Sequence, residues 1–92
     1  MLKDQYAFVL YDISSENLGK VFKLCKKYFK HHQKSIFRGH ITPANLIEFK
    51  NEIKKVINKE IDFITIITCY GPASFNEETI GTDKKQSEYI FL

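Results

Sequence analysis

The 92-residue sequence contains no tryptophan, one methionine, two prolines and four glycines. The glycines are scattered, so they form neither a dinucleotide-binding fingerprint nor a phosphate-binding loop. Long apolar runs are absent too, the longest being Tyr6–Tyr11 and the Thr-interrupted Phe63–Ile67. Because a transmembrane helix needs about 20 apolar residues, the sequence predicts a protein without a membrane partner.

Cysteine is also scarce, since the chain has only Cys25 and Cys69. A secreted disulfide scaffold would carry more, and no Cys-x-x-Cys pair is present. The N-terminal residues show no signal-peptide pattern. We therefore interpret both thiols as buried groups in a cytoplasmic protein.

The overall composition is that of a globular protein, with 43% hydrophobic, 27% charged and 14% aromatic residues. A chain this short forms one small domain, and such domains are marginally stable on their own. An oligomer is therefore expected.

The net charge of +3 conceals a basic block, since residues 20–40 carry +7 and no acidic residue. Such a block is either a solvated helix face or a surface for a polyanion. With thirteen lysines and one arginine in the chain, backbone contacts are favoured over base readout. The candidate nucleic-acid-binding residues are Lys20, Lys23, Lys27, Lys30, Lys34 and Arg38.

Hydrophobic periodicity predicts a buried strand followed by an amphipathic helix in the first third of the chain. The strand covers Gln5–Ile13, and the helix starts at Ser14 or Ser15, whose hydroxyls can cap it, and runs to about Lys30. The apolar face of this helix is predicted to contain Leu18, Val21, Cys25, Tyr28 and Phe29.

The remainder alternates in the same way between strands and one helix. Gln33–Ile41 is a predicted strand that Gly39 divides into two short pieces, and Thr42-Pro43 begins the second helix. A further strand covers Ile61–Tyr70 and is followed by a loop at Ala73–Glu78. Short strands are predicted at Thr79–Thr82 and Glu88–Leu92.

This order predicts an α+β ferredoxin-like open-faced sandwich, βαββαβ with a short extra C-terminal strand. Residues 1–78 form the domain, and residues 79–92 form an extension for dimer or partner docking. The fold alone does not indicate a function.

Asp12 is the carboxylate with the most informative position, at the end of a buried strand and just before a helix. One interpretation is a cap or turn residue for Ser14–Asn17. The other is a ligand of a hard cation, because Mg²⁺ can be held by one or two carboxylates while it retains several waters. One Asp is too few for a catalytic site unless a two-fold axis brings together Asp12 from two subunits.

Several stretches together resemble the CRISPR-associated small nuclease family, the Cas-two subunit of the spacer-acquisition machinery. The resemblance lies in Tyr11-Asp12-Ile13-Ser14, in the first helix from Val21 to Tyr28, and in Gln33-Lys34-Ser35-Ile36-Phe37. It continues into the second helix and covers roughly residues 6–70.

The resemblance implies a ferredoxin-like homodimer in which Asp12 of both subunits shares one Mg²⁺ or Mn²⁺. The implied activity is endonucleolytic hydrolysis of RNA, with double-stranded DNA as a further substrate. Tyr11, Ser35 and Phe37 match positions near the family's catalytic site. The sequence departs from the family early in the first helix, where family members often carry arginines and this chain has Asn17-Leu18-Gly19-Lys20.

The family also implies an alternative, non-catalytic function in antiviral defence. In this function the dimer bridges copies of the integrase subunit in the CRISPR adaptation complex and holds duplex DNA. The lysine face would then be the functional surface, and Thr79–Leu92 would dock on a partner by adding a strand to a sheet edge.

Overall fold

The computed structural model of the chain describes residues 5–71 and 74–82. The elements in these residues are β1 (Gln5–Asp12), α1 (Ser15–Tyr28), β2 (Lys30–Gln33), β3 (Ile36–Ile41), α2 (Pro43–Val56), β4 (Phe63–Gly71) and β5 (Ser74–Gly81). All strand pairs are antiparallel, and the sheet order is β2-β3-β1-β4-β5. The structure confirms the predicted α+β ferredoxin-like architecture.

Strand β1 lies at the centre of the sheet, between β3 and β4. Ala7, Val9 and Tyr11 are buried and pack in the core with residues of both helices. Because side chains alternate along a strand, every second residue from Tyr6 to Asp12 points to the side of the sheet opposite the core. We call this side the open face. In the described residues, both helices pack on the side of the sheet that carries Ala7, Val9 and Tyr11.

The core joins that covered side of the sheet to the apolar faces of the helices. Val21 and Cys25 of α1 and Phe49 and Ile53 of α2 are fully buried, as their helical spacing predicts. Leu18 is 41% exposed, so its predicted place on the buried face is wrong. The first turn of α1 borders an open cavity, which leaves this side chain uncovered.

Helix α1 ends earlier than predicted, at Tyr28 rather than near Lys30. Phe29 is extended, and its backbone N–H donates to the Cys25 carbonyl at 2.8 Å. Its ring packs in the core against Phe49, with centroids 5.1 Å apart. Burial of this ring turns the chain into β2, where Lys30 pairs with Arg38.

The two strands between the helices form a hairpin, and their break lies elsewhere than predicted. The chain turns at Lys34, whose φ of 39° is left-handed, and Ser35, whereas Gly39 lies inside β3 opposite Ala7. Division of this segment into two strands is confirmed, but the division at Gly39 is wrong.

The two helix starts differ in how well the sequence predicts them. Thr42 caps α2 as predicted, because its hydroxyl oxygen accepts from the Asn45 N–H at 3.1 Å, with Pro43 in the first turn. Ser14 is the N-cap residue of α1, but its hydroxyl makes no capping hydrogen bond. The predicted role of the Ser14 hydroxyl is therefore wrong.

The C-terminal part contains more strand than predicted. Strand β5 begins at Ser74 and pairs with β4 through Gly81, so the predicted loop is wrong for residues 74–78. Their side chains are mostly polar and exposed, which hides an edge strand from hydrophobic patterning. β5 also crosses the predicted domain boundary at residue 78, and the predicted strand at Glu88–Leu92 lies outside the described residues.

Two smaller observations concern the cysteines and the helices. Cys25 is buried as predicted, whereas Cys69 is only partly buried, on the open face, so its predicted burial is wrong. In the described part of the chain, neither helix is long and apolar enough to cross a membrane.

Gly81 occupies a position that excludes any side chain. Its φ is +104°, and a Cβ atom there would lie 2.0 Å from the Asp62 carbonyl oxygen and 2.8 Å from the Phe63 Cα. We expect Gly81→Ala to lower the melting temperature, because both the backbone conformation and the contact become unfavourable. Gly19→Ala is the control: a Cβ there meets nothing within 4 Å, and the helix gains about 1 kcal/mol. A Gly81→Ala protein as stable as wild type in thermal denaturation would contradict this packing.

Candidate active site

Asp12 is exposed at the C-terminal end of β1, where it pairs in register with Phe63 of β4. Its neighbour Tyr11 faces the core, so the alternation of the strand directs Asp12 to the open face. Strand pairing on the β4 side thus fixes the backbone at the position of the candidate metal ligand.

Asp12 lines a cavity of about 520 Å³ at this end of the sheet. Two further predicted site residues, Tyr11 and Ser35, line the same cavity. They are also joined directly, because the Tyr11 N–H donates to the Ser35 carbonyl at 3.1 Å. The structure therefore brings three of the four predicted catalytic residues together.

A second cavity, of about 730 Å³, adjoins the first and shares Tyr11 and Ser35 with it. Lys23 of α1 and Lys34 of the hairpin turn also line this second cavity. Two lysines therefore line a cavity that shares two residues with the cavity containing Asp12. Anionic oxygens are the groups that such an arrangement attracts.

Phe37, the fourth predicted catalytic residue, lies in a different place. It is fully buried on the helix-covered side, and its ring lies 5.3 Å from that of Phe22 and 6.1 Å from that of Tyr11. In the single chain this ring packs behind the cavity and does not line it. Tyr11 is itself 7% exposed, and burial, with a smaller effect of Cys25, raises the pKa of its hydroxyl, so it stays protonated at neutral pH.

Asp62 is the residue that the sequence interpretation missed. It is fully buried between α2 and β4, and its carboxylate accepts three hydrogen bonds. The donors are the Ser14 N–H at 2.7 Å, the Asn58 N–H at 2.9 Å and the Asn17 side-chain amide at 3.0 Å. The amide of Ser14 is thus satisfied by a carboxylate 48 positions away, a distance at which sequence spacing carries no signal.

The charge of Asp62 follows from this environment. Burial favours the neutral acid and raises its pKa, but the hydrogen bonds from Ser14, Asn58 and Asn17 outweigh burial and hold the pKa below its usual value. Asp62 is therefore ionised at neutral pH and is a stabilising acceptor at the N-terminus of α1.

This shift makes the contribution of Asp62 to stability dependent on pH. A carboxyl group with a lowered folded-state pKa stabilises the protein above its usual pKa and loses that effect as the pH falls through the folded-state value. We expect wild type to exceed Asp62→Asn in free energy of unfolding at pH 7, with the difference shrinking below the usual value of 3.8. Urea denaturation of both proteins across this range measures it, and a difference that stays constant down to pH 2 would contradict the assignment.

The predicted nucleic-acid-binding residues are all exposed. Lys20, Lys23 and Lys27 line a cavity of about 450 Å³ between the helices. Lys27, Lys30 and Arg38 line another, of about 510 Å³, near the end of α1. Together with the cavity at Lys34, the basic block borders three depressions, which are linked through the shared Lys23 and Lys27.

Acidic groups of α2 also reach the basic helix, which the local sequence of residues 20–40 does not reveal. Lys27 lies 3.5 Å from a Glu52 carboxylate oxygen, and the Tyr28 hydroxyl donates to Glu52 at 2.6 Å with a Glu48 carboxylate oxygen as a second acceptor within reach at 2.8 Å. Donation from Tyr28 lowers the pKa of Glu52, which keeps this carboxylate charged beside Lys27. Lys27 is therefore partly neutralised, whereas Lys23 and Lys34 have no ion pair recorded in the described residues.

The ability of this site to bind a divalent cation depends on the oxygen and nitrogen donors that its side chains supply. Within the described ranges, no group of three His, Cys, Asp or Glu side chains in one chain is arranged to hold a metal ion. Asp12 supplies a carboxylate of the type that Mg²⁺ and Mn²⁺ prefer, and a small set of protein ligands suits Mg²⁺. Asp12 therefore supplies one donor group that suits such an ion.

The fold and this site define a class: a ferredoxin-like α+β domain with a carboxylate at the end of its central strand and lysines beside it. Comparison with known proteins is more specific. A family model, CRISPR associated protein Cas2, matches residues 5–73. The chain belongs to this CRISPR-associated family.

Individual relatives agree with the family match. The CRISPR-associated endoribonuclease Cas2 3 of Thermodesulfovibrio yellowstonii is 38% identical over 80 residues, which cover 87% of this chain and 91% of that protein. The CRISPR-associated endoribonuclease Cas2 of Thermotoga maritima is 28% identical over 94% of this chain and 99% of its own length. A solved Cas2 crystal structure superposes with a TM-score of 0.72 at 32% identity, covering 89% of this chain and 92% of that one.

Proposed function

We propose that this protein is a metal-dependent endonuclease that cleaves RNA and acts in CRISPR spacer acquisition, with double-stranded DNA as a further substrate. The observation that carries the proposal is the meeting of Asp12, Tyr11 and Ser35 at one cavity beside Lys23 and Lys34. Membership of a family whose named relatives are endoribonucleases supports the reaction type.

The proposed active form is a homodimer that pairs two open faces. In one chain this face carries the apolar side chains of Phe8, Leu10, Phe63 and Ile67, which are only partly buried, and Phe75, which is 70% exposed. A contiguous apolar surface of this kind is typical of an interaction site. A second copy is the proposed occupant, because Asp12 lies at one end of this surface and the family resemblance implies a dimer in which both subunits contribute this carboxylate.

In this dimer the carboxylates of Asp12 and the partner's Asp12 would hold one Mg²⁺ or Mn²⁺ ion between the subunits. When bound, the ion supplies neutralisation of phosphodiester charge and activation of a water nucleophile. The chain's own residues bind and orient the substrate: Lys23 and Lys34 pair with phosphates, and the Ser35 hydroxyl can donate to a phosphate oxygen. Tyr11 acts as a wall of the cavity, since its side chain is buried in the core.

Replacement of Asp12 tests the nuclease. We expect Asp12→Ala to lower Mg²⁺-dependent cleavage of single-stranded RNA by about 100-fold or more, because losing a ligand should cost at least as much as losing a residue that supports one. Glu16→Gln is the matched control, since Glu16 is an exposed carboxylate four positions later in the first turn of α1. Cleavage is followed with end-labelled RNA and duplex DNA, and equal rates for wild type and Asp12→Ala would contradict the nuclease proposal.

The alternative function is a non-catalytic, architectural subunit that bridges integrase copies and holds duplex DNA. Spread of the exposed cations over three depressions favours it, because phosphate contacts then extend beyond the cavity at Asp12. If this function is correct, Asp12→Ala binds the same end-labelled duplex DNA as tightly as wild type does, and this binding weakens strongly with added salt. Binding that persists without any Asp12-dependent cleavage would favour this alternative.

A further inference from the structure

The connection from Asp12 to α1 is short, and Asp62 is the residue that holds it. Ser14 lies two residues after Asp12, and its N–H donates to the Asp62 carboxylate at 2.7 Å. Asn17, in the first turn of α1, donates to the other oxygen of that carboxylate at 3.0 Å. The Asp62 side chain therefore contacts the segment after Asp12 at two points.

Asp62 also belongs to the connection that leads from α2 into β4, the strand that pairs with Asp12. Asp62 directly precedes Phe63, and Phe63 is the register partner of Asp12 in the β1–β4 pair. The Asn58 N–H also donates to Asp62, at 2.9 Å, which anchors the carboxylate to the end of α2. Two adjacent residues therefore hold the chain around Asp12. Phe63 pairs with Asp12 itself, and Asp62 accepts a hydrogen bond from the turn that follows it.

Backbone groups hold the position of Asp62 itself. The Asp62 N–H donates to the Asn58 carbonyl at 2.8 Å, and the Asp62 carbonyl accepts from the Thr82 N–H at 3.0 Å. Gly81 packs against that carbonyl without space for a Cβ atom. A fully buried carboxylate on so constrained a backbone gives the segment after Asp12 a fixed attachment point.

From this geometry we propose that Asp62 is a positioning residue that sets the orientation of the Asp12 carboxylate for the divalent cation. The inference rests on the proposed function, because it requires Asp12 to be a metal ligand. Asp62 itself contacts neither the cation nor the substrate. Loss of its hydrogen bonds releases the Ser14 turn, so that pairing with β4 alone holds the end of β1 at Asp12.

The test measures Mn²⁺ binding by the electron paramagnetic resonance signal of free Mn²⁺. In Asp62→Asn the side chain keeps its size but replaces one acceptor by an N–H₂ donor that faces other donors. We expect its Mn²⁺ dissociation constant to rise by about 10-fold or more, as for other residues that orient metal ligands. Asn17→Ala removes one of the three hydrogen bonds and should give a smaller rise, and it decides the test if Asp62→Asn does not fold.

Two controls separate positioning from general loss of stability. Ile53→Val destabilises the core of α2 at a fully buried site without touching these hydrogen bonds and should bind Mn²⁺ as wild type does. Excess Mn²⁺ should restore cleavage in Asp62→Asn but not in Asp12→Ala, since only the latter lacks the ligand.

The outcomes distinguish the inference from the function on which it rests. If Asp12→Ala loses Mn²⁺ binding while Asp62→Asn and Asn17→Ala keep the wild-type constant, the positioning role is wrong and the metal site stands. If Asp12→Ala binds Mn²⁺ as tightly as wild type does, the proposed metal site is wrong, and the positioning role with it.

Discussion

The register of β1 between its two neighbours is the constraint on which the rest of the structure depends. β1 pairs with β3 through Gln5–Leu10 and with β4 through Tyr6–Asp12. Since side chains alternate, a slip by one residue would exchange the core and open faces. Tyr11 would then leave the core and Asp12 would enter it, where burial of a carboxylate is costly. The same register thus determines both the hydrophobic core and the position of the candidate ligand.

Contacts at the end of β1 extend this constraint to the candidate active site. Ser35 accepts from Tyr11 on one side, and Asp62 accepts from Ser14 on the other. The segment around Asp12 is therefore held from two sides, by the turn between β2 and β3 and by the connection from α2 to β4. Lys23 and Lys34 reach the adjoining cavity from α1 and from the hairpin turn. In the proposed function, these two elements bring the substrate phosphates toward a ligand that the sheet already positions.

The sequence predicts the parts of the fold that have strong local signals. The apolar, aromatic run of β1, the helical spacing in α2 and the Thr42-Pro43 start are local properties, and the structure confirms them. β2 and the first half of β5 have no such signal, because edge strands with exposed polar side chains show little hydrophobic pattern. The exposure of Leu18 is likewise hidden, since a helix face does not reveal where the sheet beneath it ends.

The candidate site divides in the same way. Asp12, Tyr11 and Ser35 could be proposed from strand position and family resemblance, and the structure brings them to one cavity. Asp62 could not, because its donors Ser14 and Asn17 lie 48 and 45 positions away. Pairing of Lys27 with Glu52, 25 positions along the chain, also depends on helix packing and not on local charge. Contacts between distant segments are thus where sequence patterns lose their predictive value.

The metal content of the assembled protein tests the central claim most directly, because one ion shared between two Asp12 side chains has a fixed stoichiometry. Native mass spectrometry of the purified protein with a slight excess of Mn²⁺ measures chains and ions together. The account predicts a dimer that carries one Mn²⁺ ion, and a metal-free dimer for Asp12→Ala. A monomer with its own ion, or a dimer with one ion per chain that Asp12→Ala retains, would contradict it.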